Sequence, residues 1–204
     1  MHPDSCFPTK LKALYQYIFS DSPNLNTESV NCTQIPAISG EFAQALGLFY
    51  ALFAEHHDFM KCMYDMKLPD ELVIENDRML IAVEQQGVCA YSLDTNTGTV
   101  VQSDRTGKLV KPLDLKIEDF LLYLIAIQCT QYCLCSGMVE DCRSVLKETY
   151  SDRRITGAAN NGAVYLFSEG VILVVSGNDG YVSSRDDDRM AAFEENTGFD
   201  VDYF

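Results

Sequence analysis

The sequence predicts an α+β fold with one mixed, largely antiparallel sheet flanked by helices. Two β-hairpins in succession are the first indication, because apolar and partly β-branched residues alternate with turn residues from Leu72 to Leu93. An apolar helix at Ile117–Gln128 is the second, and a further group of strands near the end of the chain is the third. Strands and helices that occur in separate runs are typical of this class.

The first 40 residues are predicted to form a helical extension and a linker, followed by the α+β domain at residues 41–204. Residues 10–19 carry apolar side chains at helical spacing, which are Leu11, Leu14, Tyr15 and Ile18. Residues 20–40 are rich in Ser, Asn, Thr and Pro, which indicates a loop. The segment Glu41–His57 is apolar on nearly all sides and is predicted to be a buried helix.

Four strands are predicted between residues 71 and 102, at Glu71–Glu75, Arg78–Glu84, Gly87–Leu93 and Thr99–Gln102. Asn76-Asp77 marks the first reversal, because both side chains tolerate turn conformations. Gly87 marks the second, because glycine adopts a positive φ without a Cβ clash. Asp94-x-Asn96-x-Gly98 faintly resembles a calcium loop, but Thr99 and Arg105 occupy the places that need glycine and an acid. A hairpin turn is predicted there instead.

The second half is predicted to contain helices and a second group of strands. The apolar helix at Ile117 is predicted to continue to about Cys135, and a polar helix or turn to span Val139–Thr149. Three strands follow, at Ala163–Ser168, Val171–Ser176 and Tyr181–Ser184, with a hairpin signal at Asn178-Asp179-Gly180. A final helix is predicted at Asp186–Glu195, with Gly198 as its C-terminal cap.

The net charge of the chain limits the kinds of molecule that it is expected to bind. Fifteen Lys and Arg against thirty Asp and Glu give a net charge of −15, which argues against nucleic acid and anionic membranes because both attract positive charge. A basic protein partner is compatible with it, and so is a role in solubility alone. The sequence shows no export signal, and its longest apolar run, Phe42–Ala54, is shorter than the about 20 residues that span a bilayer. We therefore expect a cytoplasmic protein with reduced thiols.

No catalytic residue, metal site or cofactor is predicted. Four cysteines fall within fourteen residues (Cys129, Cys133, Cys135 and Cys142) and could hold zinc, but they lack the paired C-x-x-C spacing. Buried packing as small apolar side chains is the favoured interpretation. The pair His56-His57 lacks the H-E-x-x-H spacing, and the phosphate-loop, dinucleotide and nucleophile-elbow motifs are absent.

The acidic tail is the strongest functional signal. From Asp179 to Phe204 eight acids face only Arg185 and Arg189, a charge of 2 − 8 = −6. Within it, the predicted partner-binding residues are Asp187, Asp188, Glu194, Glu195 and Asp200. The alternative is a solvated helix face, since acids at a helix start are favoured by the helix dipole.

Three segments together resemble the SUKH superfamily, the group named after the yeast cell-wall synthesis regulators. Glu84-Gln85-Gln86-Gly87-Val88 with Tyr91 matches its strand–turn–strand signature, and the helix from Ile117 to Leu124 matches the helix that follows. The end of the chain, with Thr197-Gly198-Phe199 and Tyr203, is similar to the family's last segment. The resemblance covers roughly residues 40–204. The chain departs from the family in having no Trp, and in having Thr99-Val100-Val101 in place of a Pro-Pro-Val step.

The resemblance implies an α+β fold with one mixed sheet, and a non-enzymatic immunity-type protein that sequesters a toxin. Nuclease toxins tend to be basic, which would complement a charge of −15. Fold similarity does not by itself give function, so two alternatives stay open. One is a regulatory scaffold that binds a cellular protein, and the other is a hydrolase or transferase without a recognisable motif.

Overall fold

A computed structural model describes residues 6–19, 35, 38, 40–104, 106, 108–113, 115–158 and 162–204. The chain divides into two compact units, one of residues 21–121 and one that joins residues 1–20 to residues 122–204. Helices and antiparallel strands occur in both, which confirms the α+β class. The strands form two six-stranded sheets where the sequence analysis predicted one. Most paired strands are consecutive in the chain, but Tyr64–Met66 and Cys135–Val139 pair with strands that are not their neighbours in the sequence. In the sequence, the long helix at residues 117–132 lies between the two groups of strands.

The unit of residues 21–121 contains two helices, the start of a third, and the first sheet. Its elements are α2 (Glu41–Phe53), α3 (His57–Met60), β1 (Tyr64–Met66), β2 (Ile74–Glu75), β3 (Arg78–Glu84), β4 (Cys89–Asp94), β5 (Val100–Asp104), β6 (Leu109–Pro112) and the first residues of α4 (Ile117–Tyr132). The strand order is β1-β3-β4-β5-β6, with β2 paired to β3. The predicted buried helix is confirmed, since Phe49 and Phe53 of α2 are fully buried and stack with ring centroids 5.3 Å apart.

The turns of this sheet lie where the sequence predicts them. Asn76 and Asp77 have φ angles of 51° and 62°, and Gly87 has a φ of 68°, so both predicted reversals are confirmed. The carboxylate of Asp94 accepts hydrogen bonds from the backbone N–H groups of Asn96 and Thr97 at 3.0 and 2.9 Å. This segment is therefore the predicted hairpin turn.

The second unit contains helices α1 (Phe7–Ile18), the remainder of α4, α5 (Arg143–Thr149) and α6 (Asp187–Thr197), with a 3₁₀ turn at Ser151–Arg153. Its strands are β7 (Cys135–Val139), β8 (Arg154–Ala158), β9 (Gly162–Leu166), β10 (Val171–Ser176), β11 (Asp179–Ser184) and β12 (Asp202–Tyr203). They lie in the order β12-β7-β11-β10-β9-β8, and every neighbouring pair is antiparallel.

The core of this unit surrounds the central strand β10. Its residues Val171–Val175 are buried on both faces, which explains the continuous apolar run. On one face they pack in a cluster with Leu146 of α5 and with Met190 and Phe193 of α6. On α1, the Tyr17 hydroxyl donates a hydrogen bond to the Ser183 carbonyl of β11 at 2.9 Å.

Several predicted boundaries are wrong. The apolar helix ends at Tyr132 rather than Cys135, because Cys135–Val139 pairs with β11 and becomes strand β7. The predicted polar helix or turn is confirmed at residues 140–149, as a turn at 140–142 followed by α5, whereas Val139 belongs to β7. The short strands β1, β6, β8 and β12 were not predicted, because two to five residues carry too little periodicity. The predicted linker at residues 20–40 falls almost entirely outside the described residues, so the division at residue 40 stays a prediction.

Asp65 of β1 provides a test of pH-dependent stability. Its carboxylate lies beside the ammonium groups of Lys67 and Lys61, with the Lys61 nitrogen 3.6 Å away. The hydrogen bond from Lys67 and the two positive charges lower the pKa of Asp65 below its ordinary value. A carboxyl whose pKa is lowered by folding stabilises the fold above its unfolded pKa, and this contribution disappears as the pH falls through its folded pKa.

We therefore expect Asp65→Asn to lower the urea midpoint at neutral pH. The difference from the wild type should shrink as the pH falls from about 7 through the ordinary Asp pKa of about 3.9 and on through the lowered folded pKa of Asp65. Urea unfolding of the wild-type and variant proteins between these pH values measures the difference. A difference that stays constant across this range would contradict the assignment.

Candidate functional site: an acidic groove beside the C-terminal strand

The candidate site is an open depression of about 550 Å³ in the second unit. One wall is residues 138–142 with Val145, at the end of β7 and the start of α5, and the other is residues 198–202, between α6 and β12. We call this depression the acidic groove. Among the eleven described residues that line it, none is Lys, Arg or His.

Four carboxylates define its charge: Glu140, Asp141, Asp200 and Asp202. All four residues are exposed. Within the described part of the chain, no hydrogen bond and no ion pair reaches any of these carboxylates. Like charges that share a concave surface create a focused negative potential, because the protein walls screen the field less than water does.

Apolar side chains lie between the carboxylates. Val139 and Val201 are buried beneath the groove, Phe199 is half-buried, and the Val145 side chain is 41% exposed. The groove therefore combines an apolar floor with an unneutralised acidic rim. This combination suits a ligand that is cationic at its tip and apolar along its length.

The wall from β7 is fixed to the neighbouring hairpin of β10 and β11. Asp141 adopts a positive φ of 47°, and its backbone N–H donates to the Asp179 carboxylate at 3.0 Å. The Arg143 guanidinium donates to the Gly177 carbonyl at 2.7 Å. These bonds hold the turn that carries Glu140 and Asp141 against the sheet.

The C-terminal wall is fixed by Glu194. One carboxylate oxygen accepts a hydrogen bond from the Val201 N–H at 3.1 Å, and the other accepts from the Tyr203 hydroxyl at 2.8 Å. Desolvation and the hydrogen bond to the Glu194 carboxylate both raise the pKa of Tyr203. The Tyr203 hydroxyl therefore stays protonated at neutral pH and remains the donor.

Gly198 turns the chain from α6 into this wall. It lies at the C-terminus of α6 in the left-handed conformation, with a φ of 71°, as the sequence predicts. Beyond it, β12 pairs with β7 through Asp202↔Met138 and Tyr203↔Gly137. The two walls are thus joined by backbone pairing at the edge of the sheet.

The predicted partner-binding residues occupy three different places. Asp200 lines the acidic groove. Asp187 and Asp188 are exposed in the first turn of α6, and Glu195 is exposed near its end. Glu194 is half-buried and engaged at both oxygens, so the structure gives it a positioning role for the C-terminal wall.

Sequence reasoning missed Glu140, Asp141 and Asp202 as members of one site. Asp202 belongs to the acidic tail, but nothing in the sequence distinguishes it from the other acids there. Glu140 and Asp141 lie about 60 residues before it, and antiparallel pairing between β7 and β12 brings them together. A search for acids that follow short apolar runs would have drawn attention to Glu140-Asp141.

An adjoining depression of about 530 Å³ shares Asp141 and is lined by Arg143 and Lys147, among others. Basic side chains thus lie next to the acidic groove but do not line it. Among the described residues, no three His, Cys, Asp or Glu side chains are grouped so as to hold a metal ion. No helix in the described part of the chain is long and apolar enough to cross a bilayer.

No protein-family model matches the chain, and no curated protein or solved structure matches it significantly. The resemblance to the SUKH superfamily therefore stays a prediction.

Proposed function

We propose that this protein is a non-catalytic binding protein that takes a basic segment of a partner protein into the acidic groove. The observation that carries the proposal is the set of four carboxylates, without a charge partner in the described structure, around an apolar floor. A lysine or arginine side chain from a partner would place its charge among these carboxylates. Its aliphatic stem would cover Val145 and Phe199.

Electrostatics determines what such a groove contributes. Exposed ion pairs add little to stability, typically about 0–1 kcal/mol each. Complementary charge instead accelerates encounter and selects the partner, and it can raise association rates by about tenfold or more. The negative charge of the acidic groove and the net charge of −15 would both attract a basic partner.

The specific form of the proposal is an immunity-type protein that sequesters a basic toxin domain. The sequence resemblance to the SUKH superfamily supports this form, and the charge of the acidic groove is compatible with it. A regulatory scaffold for a basic cellular protein would use the same surface. The two roles differ in the identity of the partner, not in the chemistry of the groove.

The experiment compares two variants with the same change in net charge. The groove variant is E140Q/D141N/D200N/D202N. The control variant is E55Q/D58N/D70N/E75Q, whose four acids are exposed in the other unit. Fluorescein-labelled nona-lysine and nona-arginine peptides serve as probes, and stopped-flow anisotropy measures their association rates at low salt.

We expect the groove variant to slow association about tenfold or more relative to the wild type, and the control variant to slow it much less. Both effects should diminish at 150 mM salt, where the screening length is about 8 Å. Equal losses in the two variants would show that the peptides respond to net charge alone, and the assignment to the acidic groove would then be wrong.

A further inference from the structure

Cys129 and Cys133 lie one helical turn apart at the end of α4. The backbone N–H of Cys133 donates to the Cys129 carbonyl at 3.0 Å, so the helical turn continues one residue past Tyr132. Residues four apart on a helix have Cα atoms about 6 Å apart, within the range that disulfides span. Both thiols therefore project from the same side of the helix.

The two thiols differ in exposure and environment. Cys129 is fully buried, whereas Cys133 is partly exposed. The Cys129 thiol donates a hydrogen bond to Cys133, and the positive charge of Arg185 adds to this effect, so the pKa of Cys133 is lowered. Burial, with smaller contributions from Cys133 and Cys129, raises the pKa of the Tyr17 hydroxyl.

Two cysteines nearby in the sequence have the opposite environment. Cys135 and Cys142 are buried in the core of the second unit. Burial raises the pKa of each to about 11, and for Cys135 the neighbouring Asp187 adds to the effect. Since the thiolate is the reactive form, these two cysteines form an internal reference of low reactivity.

We propose that Cys129 and Cys133 are a redox pair, in which Cys133 is the thiol attacked by a peroxide and Cys129 is the resolving thiol. In the first step the Cys133 thiolate attacks one peroxide oxygen, the O–O bond breaks, and sulfenic acid and hydroxide form. In the second step the Cys129 sulfur attacks the Cys133 sulfur and displaces the sulfenic oxygen, which leaves with the Cys129 proton as water. Two thiols and one hydrogen peroxide thus give one disulfide and two waters.

The helical spacing makes this disulfide easy to reverse. Cβ atoms one helical turn apart are about 5–6 Å apart, longer than the about 3.8 Å usual in disulfides. Bond formation therefore requires the last turn of α4 to distort, and a strained disulfide is more readily reduced than a relaxed one. Because Cys133 lies just beyond the end of α4, the distortion affects a helix end rather than a helix interior.

The test uses the full-length chain with Cys6→Ser, which removes an exposed thiol whose pKa is also lowered, by its hydrogen bond to Thr9. The reduced protein is treated with hydrogen peroxide at neutral pH, free thiols are alkylated, and the peptides are identified by mass spectrometry. We expect a Cys129–Cys133 disulfide that dithiothreitol reverses. We also expect the alkylation rate of Cys133 in the reduced protein to exceed those of Cys135 and Cys142 by about tenfold or more.

Two variants separate the roles of the thiols. Cys129→Ser should leave Cys133 as a sulfenic acid that dimedone traps. In Cys133→Ser, Cys129 should stay reduced, because the Cys129 thiol is buried. Circular dichroism of each reduced variant verifies the fold. Oxidation at Cys135 or Cys142 before Cys133, or a Cys133 disulfide to any cysteine other than Cys129, would overturn the proposal.

Discussion

Replacing Phe193 with alanine is expected to lower the free energy of unfolding by about 3–5 kcal/mol, the usual cost of removing a buried aromatic side chain. Phe193 is fully buried on α6 and packs against Phe167 with ring centroids 4.9 Å apart. It also contacts Phe199 in the C-terminal wall of the acidic groove, at 5.9 Å between centroids. The variant should therefore lose stability and disturb the groove together.

Phe204→Ala is the matched control, because it removes the same atoms from a side chain that is 78% exposed. Surface substitutions usually change stability by less than about 0.5 kcal/mol. Urea unfolding followed by circular dichroism measures both variants. Similar losses in the two variants would mean that α6 does not pack on the sheet as described.

Gly137→Ala is expected to displace the C-terminal strand and to destabilise the protein by about 1–3 kcal/mol, as overpacking does. A Cβ added at residue 137 would lie 2.5 Å from Val201 Cγ1 and 2.8 Å from the Asp202 carbonyl oxygen. The second of these atoms is backbone, so the clash cannot be relieved by a change of rotamer. Since β12 carries Asp202 beside β7, the acidic groove should lose one of its walls.

Ser136→Ala is the control for this change, because it adds no atoms to the neighbouring position. Among the described residues, the buried Ser136 hydroxyl has no hydrogen-bond partner, and removing such a group should leave stability unchanged or slightly higher. Unfolding curves and association of the nona-lysine probe give the two measurements. The double variant G137A/V201A should recover only part of the lost stability, since the contact with the Asp202 carbonyl remains. If G137A alone were as stable as the wild type, the close packing of β12 on β7 would be contradicted.

Local chemistry made much of the fold predictable. The turns at Asn76-Asp77 and Gly87 followed from residues that accept positive φ, and the last helix followed from its two ends. Asp186 caps its N-terminus by accepting the Arg189 N–H at 2.9 Å, and Gly198 ends it. Such features need only neighbours within a few residues, and the sequence displays these directly.

Elements that depend on distant partners were not predictable. Cys135–Val139 has a weak strand pattern and becomes β7 because β11 and β12 pair with both of its edges. Glu194 shows the same limit for function. Its place in an acidic segment predicted a role in partner binding, which stays a prediction. Its hydrogen bonds to Val201 and Tyr203 depend on the tertiary structure and could not be predicted.

The sequence by itself determined the α+β class, most of the strong helices and turns, and a net charge of −15, with which a basic partner is compatible. Only the tertiary structure decided which acids share a surface. Antiparallel pairing of β12 with β7 places Asp200 and Asp202 beside Glu140 and Asp141. Charge adds up along a sequence regardless of fold, but a focused potential depends on distances in space, and these are set by pairing between residues about 60 positions apart.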